Sequence, residues 1–183
     1  AGVVSGFTGI TETDVLNTLS KIGKSAWYWL GLAILGILAE AVALYYQHAL
    51  DEWPCVLCIH VRLWVMALII VALIVLLLRH LRFMPVAGHL LTIVIAAGLL
   101  ERSWQLLGTE RRFLDGECGF DLGLPAWFTP DQWFPAMFAV ETTCGYTPEL
   151  LFGITMAEAL IVASVVFVPL SVAMMVASIA RFR

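Results

Sequence analysis

Four long apolar stretches alternate with short polar segments along the chain. They cover residues 26–48, 59–78, 83–107 and 150–180. Each is long enough for a helix to cross a hydrocarbon core of about 30 Å, which takes roughly 20 residues. A helix also satisfies its own backbone hydrogen bonds, as lipid requires. The pattern therefore predicts an all-α integral membrane protein built as a bundle of four transmembrane helices.

The composition supports a membrane protein. Of the 183 residues, 61% are hydrophobic and 13% are charged. A soluble domain is usually about half apolar and a quarter charged, so this chain has more apolar residues than one soluble core can bury. The formal net charge is -4 and no basic cluster is present, which excludes nucleic acid as a partner class.

The first 25 residues differ from the rest of the chain because they are mostly polar. We predict a cytoplasmic N-terminal tail over residues 1–25 and the transmembrane domain over residues 26–183. The tail lacks the short apolar core of a cleaved signal peptide, so we do not expect one here. Thr11 and Asp14 could cap a short surface helix, and a poorly ordered tail is the alternative.

The basic residues predict the orientation of the bundle. One side carries most of them, namely Lys21, Lys24, Arg79, Arg82, Arg181 and Arg183. The other side carries only Arg111 and Arg112. Because cytoplasmic loops are enriched in Lys and Arg, both termini are expected in the cytoplasm. A short segment, residues 49–58, and a long loop, residues 108–149, then face the outer side.

All four cysteines fall on this outer side. Cys55 and Cys58 lie in the short segment, and Cys118 and Cys144 lie in the long loop. The outer face of a bacterial inner membrane, or a eukaryotic lumen, permits disulfides. Two disulfides in series suggest a relay, although four cysteines allow three pairings and the sequence does not choose among them.

The stretch "PCVLCIHVR" carries the most specific signal. Cys58 begins the second span, and the partial positive charge and free N–H groups of a helix N-terminus favour a thiolate. Arg62 follows at i+4, on the same helix face, and leans back toward Cys58. Arg62 could instead snorkel to the membrane surface, but beside Cys58 we favour a functional role.

A thiol pair at the membrane boundary needs an electron acceptor that dissolves in the bilayer, and a quinone meets that requirement. The alternative for the C-x-x-C pair is half of a zinc site completed by Cys118 and Cys144. Those two residues are 26 positions apart and lack a second C-x-x-C spacing, which counts against zinc.

Charged residues within the spans cluster toward the outer ends. Glu40, Glu101, Arg102 and Glu158 lie at similar expected depths, and buried charges are costly unless they are paired. They could form a polar floor beneath a quinone site. For Glu40 and Glu158 we favour a structural ion-pair network. Arg102 lies on one face with Gln105 by i+3 spacing, where the two could border a site or fasten helices.

The long loop contains "PAWFTPDQWFPAMF", residues 125–138. Its Trp and Phe side chains suit the headgroup region of a membrane. We predict a short interfacial helix that holds the loop on the lipid surface. Aromatic residues also anchor protein interfaces, so a docking surface for a soluble partner is the alternative.

The stretches "YYQHALDEWPCVLCIHVR", "RSWQ" and "DQWFPAMFAVETTCG" resemble the disulfide bond formation protein B (DsbB) family of bacterial inner membranes. They occur in the family's order, over four spans with the second cysteine pair in the long outer loop. The resemblance covers roughly residue 26 to the C-terminus. It implies a thiol:quinone oxidoreductase, an electron-transport enzyme of the bacterial inner membrane.

The resemblance also implies an electron path. Cys118 would form a mixed disulfide with a periplasmic thioredoxin-fold oxidant of the DsbA type, and Cys144 would resolve it. Electrons would pass to Cys55 and Cys58, and Cys58 would reduce ubiquinone or menaquinone with help from Arg62.

The quinone site departs from the family in one place. Glu40 and Gln105 stand where family members carry such residues, and Arg102 is a further candidate. Some members have a histidine just past the third span, where this chain reads "GTERRF". Either Arg111 replaces that histidine, or the quinone site of this chain differs from that of the family.

Two other functions compete with this interpretation. The vitamin K epoxide reductase family is also a small helical bundle with a C-x-x-C pair, but its membrane-level pair comes late in the chain. A non-catalytic membrane subunit, with structural disulfides and an outer loop that binds a larger complex, is the second alternative. Such a subunit has no evident need for the spacing of Cys58 and Arg62.

Overall fold

The computed structural model describes residues 12–81, 83–114 and 119–180. Its elements, in chain order, are α1 (Glu12–Lys24), α2 (Ala26–Ala49), α3 (Val56–Leu78), α4 (Met84–Glu110), α5 (Pro130–Trp133), α6 (Pro135–Phe138), β1 (Glu149–Leu151), β2 (Ile154–Thr155) and α7 (Met156–Ala180). The four helices α2, α3, α4 and α7 are long and apolar enough to cross a membrane. This confirms the predicted all-α bundle of four membrane helices.

The four membrane helices pack in a sequence of neighbours, with α2 against α3, α3 against α4, and α4 against α7. Apolar side chains fill most of the contacts, among them Leu68 on α3 and Ile95 and Leu99 on α4. A buried hydrogen bond of 3.2 Å between the Ser103 and Ser164 hydroxyls joins α4 to α7. Small polar residues of this kind commonly join helices within a bilayer, because lipid tails are apolar and the hydrophobic effect does not drive helix association there.

Two glycines let α3 approach its neighbours closely. Gly98 of α4 faces the ring of Trp64, and a Cβ at Gly98 would overlap that ring. A Cβ at Gly36 of α2 would lie 2.6 Å from the side chain of Ile69. Small residues at such crossings permit the backbone contact that drives helix association in lipid.

We expect Gly98→Ala to destabilise the bundle by about 1–3 kcal/mol, the usual cost of overpacking a filled interior. Gly31→Ala is the matched control, because nothing lies within 4 Å of the added Cβ at that helical glycine. The control keeps the gain in helix propensity of about 1 kcal/mol without the clash. Thermal unfolding of both variants in detergent measures the difference, and equal melting temperatures would contradict this packing.

The N-terminal segment forms a helix over its described part, rather than a structureless tail. Helix α1 packs against α7 and α2. The indole of Trp29 donates a hydrogen bond of 3.0 Å to the carbonyl of Gly23, which fixes the end of α1 to α2. Helix α1 begins at Glu12, so Asp14 is its third residue, the position of the acid in a capping box. Thr11, the cap that would pair with it, lies outside the described residues.

The loop between α4 and α7 contains two single helical turns in place of one interfacial helix. Pro135 separates α5 from α6, because it has no N–H to continue α5 and it restricts the residue before it. Phe134 accordingly adopts φ −137° and ψ 68°. Its side chain is exposed, as are those of Trp127 and Trp133. Their placement in the headgroup region stays a prediction.

The last apolar stretch does not begin as a helix at residue 150. It opens with an antiparallel hairpin of β1 and β2, which turns at Phe152 and Gly153 with positive φ angles of 58° and 76°. Helix α7 then starts with a reciprocal cap: Thr155 N–H donates to Glu158 Oε2 (3.1 Å), and Glu158 N–H donates to Thr155 Oγ1 (3.3 Å). This capping arrangement fixes the start of the helix at Met156. Hydropathy does not reveal it.

Candidate functional site

Three cysteines meet at one end of the bundle. The sulfur atoms of Cys55 and Cys58 lie 2.6 Å apart. Cys55 is the N-cap of α3, and its sulfur accepts a hydrogen bond of 3.3 Å from the Cys58 N–H. Cys144 packs against the buried cluster that contains Cys55, close enough for the two thiols to interact. Cys118 lies outside the described residues, so its place beside Cys144 stays a prediction.

Cys144 reaches Cys55 because the long loop folds back over the start of α3. The carbonyl of Pro54 accepts hydrogen bonds from the N–H groups of Glu141 (3.1 Å) and Thr142 (3.4 Å). Leu122 and Phe138 are buried in one cluster with Val56 and Ile59 of α3, and Cys144 packs against that cluster. The loop is therefore part of the folded core.

Two histidines outside the predicted site hold the loop in the same way. His48 Nε2 lies 3.0 Å from the Ala136 carbonyl, and His60 Nε2 lies 2.9 Å from the Leu122 carbonyl. The sequence did not reveal these contacts, because each joins residues more than 60 positions apart. Both support a structural role for the two rings.

The environment of Cys55 keeps its thiol protonated. Its interaction with the Cys144 thiol, its hydrogen bond with Cys58 and its burial, in that order, raise the pKa of the Cys55 thiol. The side chain is only 1% exposed. A thiol is a poor nucleophile, so Cys55 is better suited to be attacked within a disulfide than to attack one itself.

Arg62 is buried one turn below Cys58. Its guanidinium donates to the Gln47 side-chain oxygen (2.6 Å), to the Met137 carbonyl (2.7 Å) and to the Ala43 carbonyl (3.1 Å). The side chain is 6% exposed, so it does not snorkel to the surface. Gln47 and Met137 were not predicted as its partners. Arg62 thus connects α2, α3 and the long loop, and it brings a fixed positive charge close to the thiol pair.

The two partners of Arg62 on α2 share one helix face with Glu40. Glu40, Ala43 and Gln47 are spaced i, i+3 and i+7, which places them in a row along the helix. Gln47 and Glu40 are both buried. The guanidinium of Arg62 contacts Ala43 and Gln47 of this row. We call Glu40, Ala43 and Gln47 the polar strip, because it lies inside an otherwise apolar bundle.

A cavity of about 370 Å³ opens beside this polar strip. Its wall includes Cys58, Arg62 and Glu40, together with apolar side chains such as Leu106, Met156 and Leu160. Pockets that bind small organic molecules typically have volumes of about 300–1,000 Å³ and mostly apolar walls with a few polar groups. The cavity therefore suits a flat apolar ligand with polar ring atoms.

The other three residues assigned to the quinone site do not line this cavity. Arg102 donates to Gln105 at 3.0 Å on the same helix, and Arg111 pairs with Glu158. The Arg111–Glu158 ion pair is the structural role that the sequence favoured for Glu158. The structure thus brings together Cys58 and Arg62 from the predicted set, and it adds Glu40 to them.

Comparisons with a family model and with individual known proteins point to the same family. Residues 25–174 match the family model for the disulfide bond formation protein DsbB. The chain is 31% identical over 149 residues to disulfide bond formation protein B of Shewanella loihica, covering 81% of this chain and 87% of that protein. It is 32% identical over 144 residues to disulfide bond formation protein B 2 of Pseudomonas aeruginosa, covering 78% and 85%. For the Haemophilus influenzae protein (strain 86-028NP), identity is 29% over 177 residues, covering 92% and 96%.

Proposed function

The chain belongs to the disulfide bond formation protein DsbB family, and we propose that it is a membrane thiol:quinone oxidoreductase that reoxidises a periplasmic dithiol oxidant of the DsbA type. One observation carries the proposal: the thiol of Cys144 contacts Cys55 beside Cys58, at the mouth of an apolar cavity that also contains Arg62. This arrangement allows disulfide exchange from the loop to the membrane.

The relay begins in the long loop. A thiolate of the reduced soluble partner attacks a Cys118–Cys144 disulfide at Cys118 and releases Cys144. The partner's second thiol, and not Cys144 as the resemblance implied, then releases the oxidised partner, because attack by Cys144 would only restore the loop disulfide. This exchange leaves Cys118 and Cys144 as thiols. Two electrons and two protons have moved from the partner to the loop pair.

The second exchange passes the electrons to the membrane pair. The Cys144 thiolate attacks a Cys55–Cys58 disulfide at Cys55, and Cys58 leaves as a thiolate. Cys118 then attacks the Cys144–Cys55 disulfide, which restores the loop disulfide and releases Cys55 as a thiol. The contact between Cys144 and Cys55 supports attack at that sulfur. The helix N-terminus and Arg62 stabilise Cys58 as the leaving thiolate.

The cavity beside Cys58 fits a quinone of the ubiquinone or menaquinone class. A bound quinone supplies an acceptor for two electrons and two protons, which the Cys55–Cys58 pair releases when its disulfide forms again. Arg62 would hold a ring oxygen by a charge-assisted hydrogen bond. The side chains of Leu106, Met156 and Leu160 would cover the apolar ring and keep water away from Cys58.

We infer a location in the bacterial inner membrane with both termini in the cytoplasm. Lys21 and Lys24 lie in the last turn of α1, just before α2 begins, and Arg79 follows the last residue of α3. These are the ends of α2 and α3 opposite to the thiol pair. Arg82, Arg181 and Arg183 lie outside the described residues. A periplasmic position for the thiol end follows from the positive-inside rule and from the oxidising compartment that disulfides need.

The test is a coupled assay on the purified protein. The protein is mixed with a reduced DsbA-type partner and a soluble ubiquinone or menaquinone analogue, and quinone absorbance is followed. We expect one quinol formed for each partner disulfide formed. No turnover with any analogue, despite a folded protein, would reject the enzyme and favour a non-catalytic membrane subunit.

A further inference from the structure

Glu40 is a buried carboxyl group with no hydrogen-bond partner in the described part of the chain. The residue is 6% exposed, and both of its carboxylate oxygens are buried without a partner. Leaving a buried polar group unpaired costs roughly 1–3 kcal/mol, and a buried charge costs more. Because Glu40 carries this free-energy cost in the middle of an apolar helix, we look for a functional role of the residue.

Two other carboxyl groups near this end of the bundle are partnered. Glu158 pairs with Arg111 and caps α7. Glu110 accepts hydrogen bonds from the hydroxyls of Thr147 (2.5 Å) and Thr155 (3.2 Å). Glu40 is different, because its side chain borders the cavity. The structural ion-pair network that the sequence favoured for Glu40 is thus present at Glu158 and not at Glu40.

The positive charge of Arg62 is close enough to Glu40 to interact with it electrostatically. No ion pair within 4 Å joins the two among the described residues, and the guanidinium is directed to Gln47, Met137 and Ala43. The positive charge of Arg62 therefore lowers the free-energy cost of a buried carboxylate at Glu40, although the two side chains form no ion pair. A carboxyl group in this position can gain and lose a proton.

The other titratable groups that border the cavity come from two helices and from both outer segments. They are Cys58 and Arg62 on α3, Tyr46 on α2, and Glu52 and Tyr146 in the two outer segments. Helix α7 contributes apolar side chains such as Met156, Ala159 and Leu160. Cys58, Arg62 and Glu40 therefore border one space.

We propose that Glu40 carries a proton between the cavity and the thiol pair during quinone reduction. The proposal rests on the proposed function. Formation of the Cys55–Cys58 disulfide releases two electrons and two protons, and conversion of the quinone to the quinol consumes the same number. Glu40, as a carboxylic acid, donates one of the two protons to a ring oxygen, and a proton released by the thiol pair restores it.

The test compares Glu40→Gln with two other variants. Gln has the same shape but carries no exchangeable acid, so quinone turnover should fall about 100-fold, the lower end of the effect of a general acid. The quinone KM should change little, and the pH dependence of kcat should flatten. Glu40→Asp should recover part of the rate. Asp51→Asn, an exposed carboxyl-to-amide change in the outer segment, should match the wild type.

A second readout does not depend on turnover. Infrared spectra of the oxidised protein without added quinone should show a protonated carboxylic acid band that disappears in Glu40→Gln and persists in Asp51→Asn. An active wild type with unchanged kcat and an unchanged infrared band in Glu40→Gln would overturn the proton-carrying role. An inactive wild type would instead reject the proposed function. If Glu40→Gln fails to fold, the pH profile and band position of Glu40→Asp decide, because both should shift from the wild type.

Discussion

Replacing Cys58 by Ser will abolish quinone reduction, with a loss on the order of 1,000-fold or more, as expected when a reacting group is removed. Cys58 borders the cavity and shares its disulfide with Cys55, so a hydroxyl in its place cannot complete the electron path. The loop pair does not need Cys58 for its own exchange. The variant should therefore still form a mixed disulfide with the soluble partner through Cys118.

Two measurements check this variant. Quinone absorbance reports turnover, and non-reducing electrophoresis reports the mixed disulfide. Cys58→Ala controls for the new hydroxyl and should behave in the same way. A normal rate of quinone reduction by either variant would remove Cys58 from the mechanism.

Replacing Arg62 by Leu will weaken quinone binding and loosen the outer loop together. The change removes a charge from the cavity and breaks hydrogen bonds to Gln47 and Met137. A hydrogen bond to a charged group contributes about 1.5–3 kcal/mol, so the quinone KM should rise roughly tenfold or more. The free energy of unfolding should fall by about 2–3 kcal/mol for the same reason.

Arg79→Leu is the matched control for Arg62→Leu. Arg79 ends the same helix and is exposed, so its loss should change neither KM nor stability by a measurable amount. Arg62→Lys keeps the charge but loses the planar donors, and it should fall between the wild type and Leu. An unchanged KM in Arg62→Leu would return Arg62 to a purely structural role.

The membrane helices were predictable because lipid leaves the backbone few choices. An apolar stretch of sufficient length has to be a helix when it spans the bilayer, whatever its neighbours are. The placement of Cys58 and Arg62 at one cavity wall was predictable for a similar reason, since i and i+4 share a helix face wherever the helix packs. Both inferences depend on local spacing alone.

The rest of the site depends on contacts that spacing does not encode. Gln47 meets Arg62 because α2 packs against α3, and Met137 meets it because the long loop folds down onto α3. Arg111 forms an ion pair with Glu158 that joins the end of α4 to α7. Its expected place beside the quinone stays a prediction. A charged residue near a helix end is compatible with either role, and the tertiary fold selects between them.

The hydrophobic pattern also did not reveal where the helices in and after the long loop are interrupted. Pro135 divides the aromatic segment into α5 and α6, and the hairpin at Phe152 delays the start of α7. The proline is visible in the sequence and could have indicated the first break. Residues 150–154 of the hairpin read Leu-Leu-Phe-Gly-Ile, so in composition they match a membrane helix.

The exchange between Cys144 and Cys55 is the central step of the relay, and one double variant tests it directly. Cys58→Ser combined with Cys118→Ser leaves those two cysteines as the remaining pair. Under mild oxidation the purified variant should form an intramolecular Cys55–Cys144 disulfide, which peptide mass spectrometry identifies, because the two thiols are already in contact. The control is the variant that lacks Cys118 and Cys144, which should form the Cys55–Cys58 disulfide under the same conditions. If both thiols of the double variant still react with an alkylating reagent when the control has formed its disulfide, the relay is contradicted.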